Sequence, residues 1–158
     1  MPKLNKIQRQ TVINELTGTY GQQFLLCDGY LIFATVQRMK QQLVIACYVD
    51  GCINGVHAGC FRDSELKTMT DMQKKFMRHS KKACFKKGFI QKQEKAMGKK
   101  WCKNNGTYEK YTSCLPWFLT PRAFVEHINQ HCTDIEILTF DDYQARLDAK
   151  EAANGQTV

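Results

Sequence analysis

Residues 24–49 read FLLCDGYLIFATVQRMKQQLVIACYV and hold three apolar runs rich in β-branched and aromatic residues. The first two runs, 24–27 and 30–36, are separated by Asp28-Gly29, a pair typical of tight turns. The linker RMKQQ (38–42) is short enough for a second hairpin. This stretch predicts a three-stranded antiparallel meander over roughly 23–60, in which 52–60 is a strand fragment or a glycine-rich loop.

From Asp63-Ser64 onward the apolar spacing changes to that of a helix, with Ser64 as the expected N-cap. Lysines fill the other faces, and Gly88 divides the stretch because glycine costs about 1 kcal/mol in a helix interior. We therefore expect one long or broken basic helix that ends at Asn104-Asn105-Gly106. Its predicted inward face comprises Leu66, Met69, Met72, Phe76, Ala83, Phe85, Phe89, Ala96 and Trp101.

The C-terminal part predicts helix–strand–helix elements. After an extended segment over 107–119, Thr120-Pro121 opens a helix, and the alternating run 134–140 is typical of a strand. Asp141 or Asp142 is the expected cap of a final helix, with 152–158 as a frayed tail. Together with a short helix over 5–16, these elements predict one α+β domain over 1–158. In it a short antiparallel β-sheet packs with the basic helix and the C-terminal elements.

Positive charge is concentrated in one segment. The chain has a formal net charge of +8, yet residues 74–103 hold twelve of its 23 Lys/Arg residues and only one acid, Glu94. That segment carries +11 (12 − 1), and the rest carries −3 (11 − 14). The twelve basic residues are Lys74, Lys75, Arg78, Lys81, Lys82, Lys86, Lys87, Lys92, Lys95, Lys99, Lys100 and Lys103.

These twelve residues predict contact with a polyanion, because each phosphate they neutralise releases a counterion. Eleven of them are lysine, which favours point contacts to a phosphate backbone over bidentate reading of bases. Two alternatives stay open: an acidic protein partner, or a solvated face that balances the acidic segment 123–158. Base stacking on Trp101, Tyr108, Tyr111 and Trp117 would support single-stranded binding, although Trp117 also suits a core position.

A metal site is the second hypothesis for chemistry. Cys114, His127 and His131 belong to the pattern C-x3-F-x5-F-x2-H-x3-H, which is similar to the later part of a Cys2His2 zinc finger. A preceding cysteine at the usual spacing is missing, since Glu109, Lys110 and Tyr111 stand there. We expect no cofactor, with zinc as the alternative. A second group, Cys47, Cys52, His57 and Cys60, lacks the spacing of a zinc knuckle.

The sequence favours a non-enzymatic protein but leaves an enzyme open. It contains no P-loop, no G-x-G-x-x-G, no H-E-x-x-H and no G-x-S-x-G motif. Neither a secretory signal nor an apolar run of about 20 residues is present, which predicts a cytoplasmic protein that does not enter a membrane. We interpret the eight cysteines mainly as reduced thiols that pack as small apolar side chains.

The runs LVIACYVDGCINGV (43–56) and TPRAFVEHINQHCTDIEIL (120–138), on either side of the basic segment, resemble small proteins encoded by phages and other mobile elements. The resemblance implies expression in a bacterial host and stoichiometric action on host or phage machinery, and it implies no residue-level roles. We therefore expect an accessory protein that binds nucleic acid or a nucleic-acid-containing host complex. The alternative is a counter-defence inhibitor, of the anti-CRISPR or anti-restriction type, that docks on a host protein complex. The third is a zinc-binding module or a metal-dependent enzyme.

Overall fold

The computed structural model describes residues 3–52 and 59–155. Within these ranges the α+β class is confirmed. The helices are α1 (Lys6–Glu15), α2 (Asp71–Phe76), α3 (Lys87–Met97), α4 (Lys99–Asn104), α5 (Pro121–His131) and α6 (Phe140–Gly155), with a 3-10 helix at Asp63–Thr68. The strands are β1 (Gln22–Cys27), β2 (Tyr30–Met39), β3 (Gln42–Val49), β4 (Gly59–Arg62), β5 (Arg78–Ala83), β6 (Lys110–Leu115), β7 (Trp117–Phe118) and β8 (Ile135–Leu138).

The predicted meander forms the centre of a five-stranded antiparallel sheet, ordered β7-β3-β2-β1-β8. Asp28 and Gly29 make the β1–β2 turn with positive φ angles of 49° and 85°, as the Asp-Gly signal predicts. The fragment expected over 52–60 is described only in part. Cys52 bridges to Val49, β4 begins at Gly59, and 53–58 lie outside the described residues.

Alternate residues of β1 and β2 point to opposite sides of this sheet, and helices cover both of its faces. One face packs Leu25 and Ile32 with Val12 of α1, Phe76 of α2 and the α5 residues Phe124, Val125 and Ile128. The other face packs Phe24 and Leu31 with Tyr143 of α6. The sheet is thus a middle layer, with α1, α2 and α5 on one side and α6 on the other.

The C-terminal elements are confirmed, with one change of cap. Thr120 caps α5 by accepting the Ala123 amide at 3.1 Å, and Pro121 opens the helix. The cap of α6 is Thr139, whose hydroxyl accepts the Asp142 amide at 3.2 Å and donates to the Asp142 carboxylate at 2.7 Å. Asp142 is therefore the acidic partner of the cap rather than the cap itself. Residues 152–155, expected to be frayed, continue α6, and 156–158 lie outside the described residues.

The basic segment is broken, but not where Gly88 predicts. Residues 78–83 form strand β5, which pairs with β6 in a second sheet ordered β4-β6-β5. Gly88 instead lies in the first turn of α3. The expected Ser64 cap is also wrong, since 63–68 form a 3-10 helix and Thr70 caps α2. Pairing along β6 outweighs the helix propensity of the lysines in β5, a long-range effect that local spacing does not contain.

All eight cysteines have free thiols, and five of them are buried, which agrees with packing as small apolar side chains. Among the helices of the described ranges, none has both the length and the apolar content that a bilayer span requires.

Candidate nucleic-acid interface

The connection between β5 and β6 carries the densest positive charge. Residues 84–109, here called the arm, contain α3 and α4 and join two neighbouring antiparallel strands. A backbone hydrogen bond from the Cys84 amide to the Glu109 carbonyl, 3.0 Å long, closes its base. The arm has little core of its own, since α3 has no buried residue and α4 has only Cys102. It therefore exposes its side chains on most sides.

Seven lysines of the arm are exposed to solvent. No salt bridge joins any of them to another residue that the structure describes. The arm's two acids have other partners, since Glu94 accepts a short hydrogen bond from the Tyr108 hydroxyl and Glu109 faces Arg62 at 3.9 Å. The bond to Glu94 raises the pKa of Tyr108 to about 12. The seven lysines are Lys86, Lys87, Lys92, Lys95, Lys99, Lys100 and Lys103.

The five other predicted contact residues precede the arm and differ in their surroundings. Lys74 on α2 and Lys82 on β5 are exposed. Lys81 pairs with Asp63 at 2.9 Å, and half-buried Arg78 has a buried Nε without a partner among the described residues. Lys75 is half-buried and pairs with two carboxylates. Of these five residues, Lys74 and Lys82 are thus the two that are exposed and have no salt bridge among the described residues.

Lys75 belongs to the packing of the fold. Its ammonium lies 2.7 Å from Asp28 Oδ2 and 3.2 Å from Asp71 Oδ2, and the hydrogen bond to Asp28 is the main reason that the pKa of Lys75 is raised. Asp28 also accepts bonds from both amides and the hydroxyl of Thr133-Asp134 at 2.8–3.0 Å. Burial alone would raise the pKa of Asp28, but these donors hold it well below its ordinary value. We therefore remove Lys75 from the contact set.

The acidic helix α6 lies on the central sheet, where it contacts β1 and β2. There Arg146 pairs with Glu136 and Lys150 with Asp50. Among the salt bridges of the described residues, none joins α6 to the arm. In this part of the chain, the lysine surface is thus not neutralised by the C-terminal acids.

Aromatic side chains lie among these lysines. Phe85, Phe89 and Trp101 are 41%, 44% and 39% exposed, and Met97 and Tyr108 are also exposed. The prediction that Phe85 and Phe89 continue a buried helical face is wrong, because the face ends where β5 begins. Of the aromatics expected to stack on bases, Trp101 and Tyr108 are on the arm, while Tyr111 and Trp117 are half-buried in β6 and β7.

The predicted zinc ligands are placed in two environments. His127 and His131 are neighbours on α5, with ring centroids 4.4 Å apart. A third imidazole, that of His79 on β5, lies beside them, with its centroid 5.2 Å from that of His127. Cys114 pairs in register with His79, and its side chain packs with Met69 and Met77. Among the described residues, no group of three or more histidine, cysteine, aspartate or glutamate side chains is arranged to hold a metal ion. His57, of the second candidate group, lies outside the described residues.

The three histidines form a cluster between α2, α5 and β5. Burial, with smaller contributions from His131 and His79, lowers the pKa of His127 to about 4, and burial also lowers the pKa of His131. The His79 Nε2 is bonded to the Gln73 carbonyl at 2.9 Å, whereas His127 Nε2 is buried with no partner among the described residues. Sequence reasoning missed His79, because it assigned this residue to the basic helix.

We expect this cluster to make the protein less stable in mild acid. Unfolding restores the ordinary pKa of 6.5 to His127, so the stability that its neutral form contributes is present above pH 6.5 and is lost as the pH falls towards 4. Between pH 7 and pH 5 the free energy of unfolding should drop by about 2 kcal/mol through this residue. Denaturant titrations at the two pH values would measure the drop. Asp28 does not interfere, since it titrates below this window in both states.

In the variant His127→Leu most of this drop should disappear, leaving the smaller part that belongs to His131. Ile128→Val on the same helix is the control, because it removes a buried methylene at a cost of about 1 kcal/mol without changing a titrating group. An equal drop in His127→Leu and in the unmodified chain would contradict the assignment.

Surface depressions also lie away from the arm. One is lined by residues of α1 and α5 that include Lys6, Arg9, Arg122 and Glu126, another includes Arg78 and Trp117, and a third lies on α1 around Ile7 and Thr11. Covalent catalysis needs a cysteine, serine or threonine beside a base; the first two linings contain none of these nucleophiles, and the third contains Thr11 without a histidine, aspartate or glutamate. The arm is therefore the stronger candidate site.

Comparison of this chain with protein-family models, with curated proteins and with solved structures finds no match.

Proposed function

We propose that this protein binds nucleic acid, or a complex that contains it, without catalysing a reaction. The arm lysines contact phosphates, with Lys74, Lys82, Arg78 and Lys81 extending the surface. The main support for the proposal is the group of seven exposed lysines in the 26 residues of the arm, none of which forms a salt bridge with another described residue. Such a surface attracts a polyanion and releases counterions when it binds one.

Two features favour this function over a merely solvated face. First, like charges three or four residues apart on a helix repel one another at a cost in stability, and the arm holds such lysine pairs at 92/95 in α3 and at 99/103 and 100/103 in α4. Second, exposed aromatic and apolar side chains share the same 26 residues, although water disfavours them there. A solvated face explains neither the unpaired charge nor the exposed rings.

We infer the setting from the sequence resemblance: an accessory protein of a phage or another mobile element that acts in a bacterial cytoplasm. The counter-defence alternative uses the same arm differently, since exposed aromatic rings among lysines also suit docking on an acidic host protein. The two functions differ in how binding depends on salt and on nucleic acid.

The salt dependence of binding tests the proposal. We expect log K for a single-stranded oligonucleotide to fall with log salt with a slope of about −3 to −5, because four to seven phosphate contacts contribute about 0.7 each. Fluorescence anisotropy with labelled single-stranded and duplex DNA and RNA, at several salt concentrations, measures the slope. If none of these nucleic acids binds at low salt, the proposal is wrong. Capture of one acidic host protein after nuclease treatment would then favour the inhibitor.

A further inference from the structure

The entrance to α3 carries a stacked aromatic pair that faces water. The rings of Phe85 and Phe89 have centroids 5.0 Å apart and planes inclined by 26°. Phe85 precedes the N-cap Lys86, so contact with the first turn would resemble a hydrophobic staple. A hydrophobic staple, however, would pair Phe85 with the fourth residue of the helix, which is Ile90, and this contact would bury the Phe85 ring. Here more than two fifths of each phenylalanine is exposed, and the staple leaves that surface unexplained.

Lysines flank this pair and also Trp101, another exposed ring of the arm. Phe85 is followed by Lys86 and Lys87, and Trp101 is preceded by Lys99 and Lys100. Phe89 in turn lies two residues after Lys87 and three before Lys92, so each of these rings has two or more lysines within three residues along the chain. All seven cations of the arm are lysines, which contact phosphates as point charges and do not read base edges in bidentate fashion.

Charge and shape together select the occupant. The lysines require an anion with repeated charges, and the rings require flat apolar groups beside those charges. Single-stranded nucleic acid has both, because its bases are free to leave their own stack and to lie on aromatic side chains. A duplex offers its phosphates but keeps its bases stacked inside. An acidic protein surface offers carboxylates without a flat apolar group on every repeat.

We propose that the arm binds single-stranded nucleic acid by stacking bases on Phe85, Phe89 and Trp101 while the neighbouring lysines hold the phosphates. This inference rests on the proposed nucleic-acid function and names its substrate class. Binding is sequence-tolerant, since every base has a π face and the arm contains no arginine. The rings add the affinity that distinguishes a single strand from a duplex of equal charge.

An oligonucleotide without bases separates stacking from charge. The probes are a labelled thymidine oligonucleotide of about 12 nucleotides, an abasic oligomer with the same number of phosphates, and a duplex of about 12 base pairs. We expect the thymidine strand to bind at least about tenfold more tightly than the abasic strand, because stacking on an aromatic side chain contributes about that much per base. Equal affinity for the two strands would overturn the stacking proposal.

Two variants locate the effect. Phe85→Leu combined with Phe89→Leu keeps apolar side chains at the entrance to α3 but removes the rings, and the control Tyr20→Leu removes a ring that is 94% exposed outside the arm. The double variant should weaken binding of the thymidine strand at least about tenfold and leave the abasic strand unchanged, whereas Tyr20→Leu should change neither. Equal weakening of both strands would overturn the proposal. Unchanged thermal unfolding of the double variant would show that it folds.

Tryptophan fluorescence supplies a reading independent of affinity. In a Trp117→Phe background, Trp101 is the remaining tryptophan, because the chain has two. Saturating thymidine strand should quench its emission and the abasic strand should not, as expected for a base stacked on the indole. Quenching by both strands would contradict stacking at Trp101. If the abasic and thymidine strands bind equally and both lose affinity with added salt, stacking fails while the phosphate-binding function stands.

Discussion

Replacing the N-cap lysine of α3 and three lysines within this helix by glutamate should lower the affinity for a single-stranded oligonucleotide by at least about 100-fold at 0.1 M salt. Each phosphate contact that is lost removes about fivefold in affinity at this salt concentration, so three lost contacts suffice. The slope of log K against log salt should fall by about 2 to 3 in magnitude. The α3 variant changes Lys86, Lys87, Lys92 and Lys95.

The chain offers a control with the same change in total charge. Four exposed lysines outside the basic segment are replaced by glutamate in the matched variant: Lys3, Lys6, Lys40 and Lys67. Each variant lowers the formal net charge of +8 by eight units. Because binding depends on local phosphate contacts and long-range attraction is screened beyond about 10 Å at 0.1 M salt, the control should retain most of the affinity. Equal losses in the two variants would show that total charge, not the arm, is responsible.

The elements that the sequence predicts well are those with a local chemical signal. Asp28-Gly29 marks the turn between β1 and β2, because these residues accept positive φ. Thr120-Pro121 marks the start of α5 through the cap and the fixed φ of proline. In both cases the interactions that determine the local structure involve only a few consecutive residues, so the sequence pattern is enough to predict it.

The error over 78–83 has the opposite cause. Its residues, RHSKKA, favour no strand by themselves, and the strand forms because residues 110–115, about thirty positions later, provide its partner. The buried face of Leu66 to Phe76 therefore does not continue into Phe85 and Phe89. The same error placed Phe85 and Phe89 on a buried face, although both rings are exposed.

For the candidate site, the sequence predicts where the cations are concentrated, but it does not predict the role of each cation. Lys75 and Lys74 are adjacent and chemically identical, yet only Lys75 pairs with Asp28, which is 47 positions earlier. Likewise, His79 joins His127 through the packing of β5 against α5. Partners that are distant in sequence decide which charges are used by the fold and which are free for a ligand.

Removal of the Asp28 carboxylate should cause the largest loss of stability, about 3 kcal/mol or more for Asp28→Ala. The carboxylate joins the β1–β2 turn to Thr133-Asp134 and to Lys75, and only 10% of the side chain is exposed. Its loss leaves two amides and a largely buried ammonium without their acceptor, although Asp71 still faces Lys75. Alanine also tolerates the φ of 49° poorly. Chemical denaturation at pH 7 measures the change.

Asp50 provides a closely matched comparison, because it has the same φ of 49°, precedes a glycine, and pairs with Lys150 at 2.7 Å. Its side chain, however, is 37% exposed, and it accepts one backbone amide, that of Leu31. Asp50→Ala should therefore cost about 1–2 kcal/mol, since it carries the same backbone strain but loses a solvated ion pair. Asp28→Asn, which tolerates this φ and keeps an acceptor oxygen, should fall between the two alanine variants. Equal losses for Asp28→Ala and Asp50→Ala would mean that backbone strain, rather than the buried carboxylate, accounts for the effect.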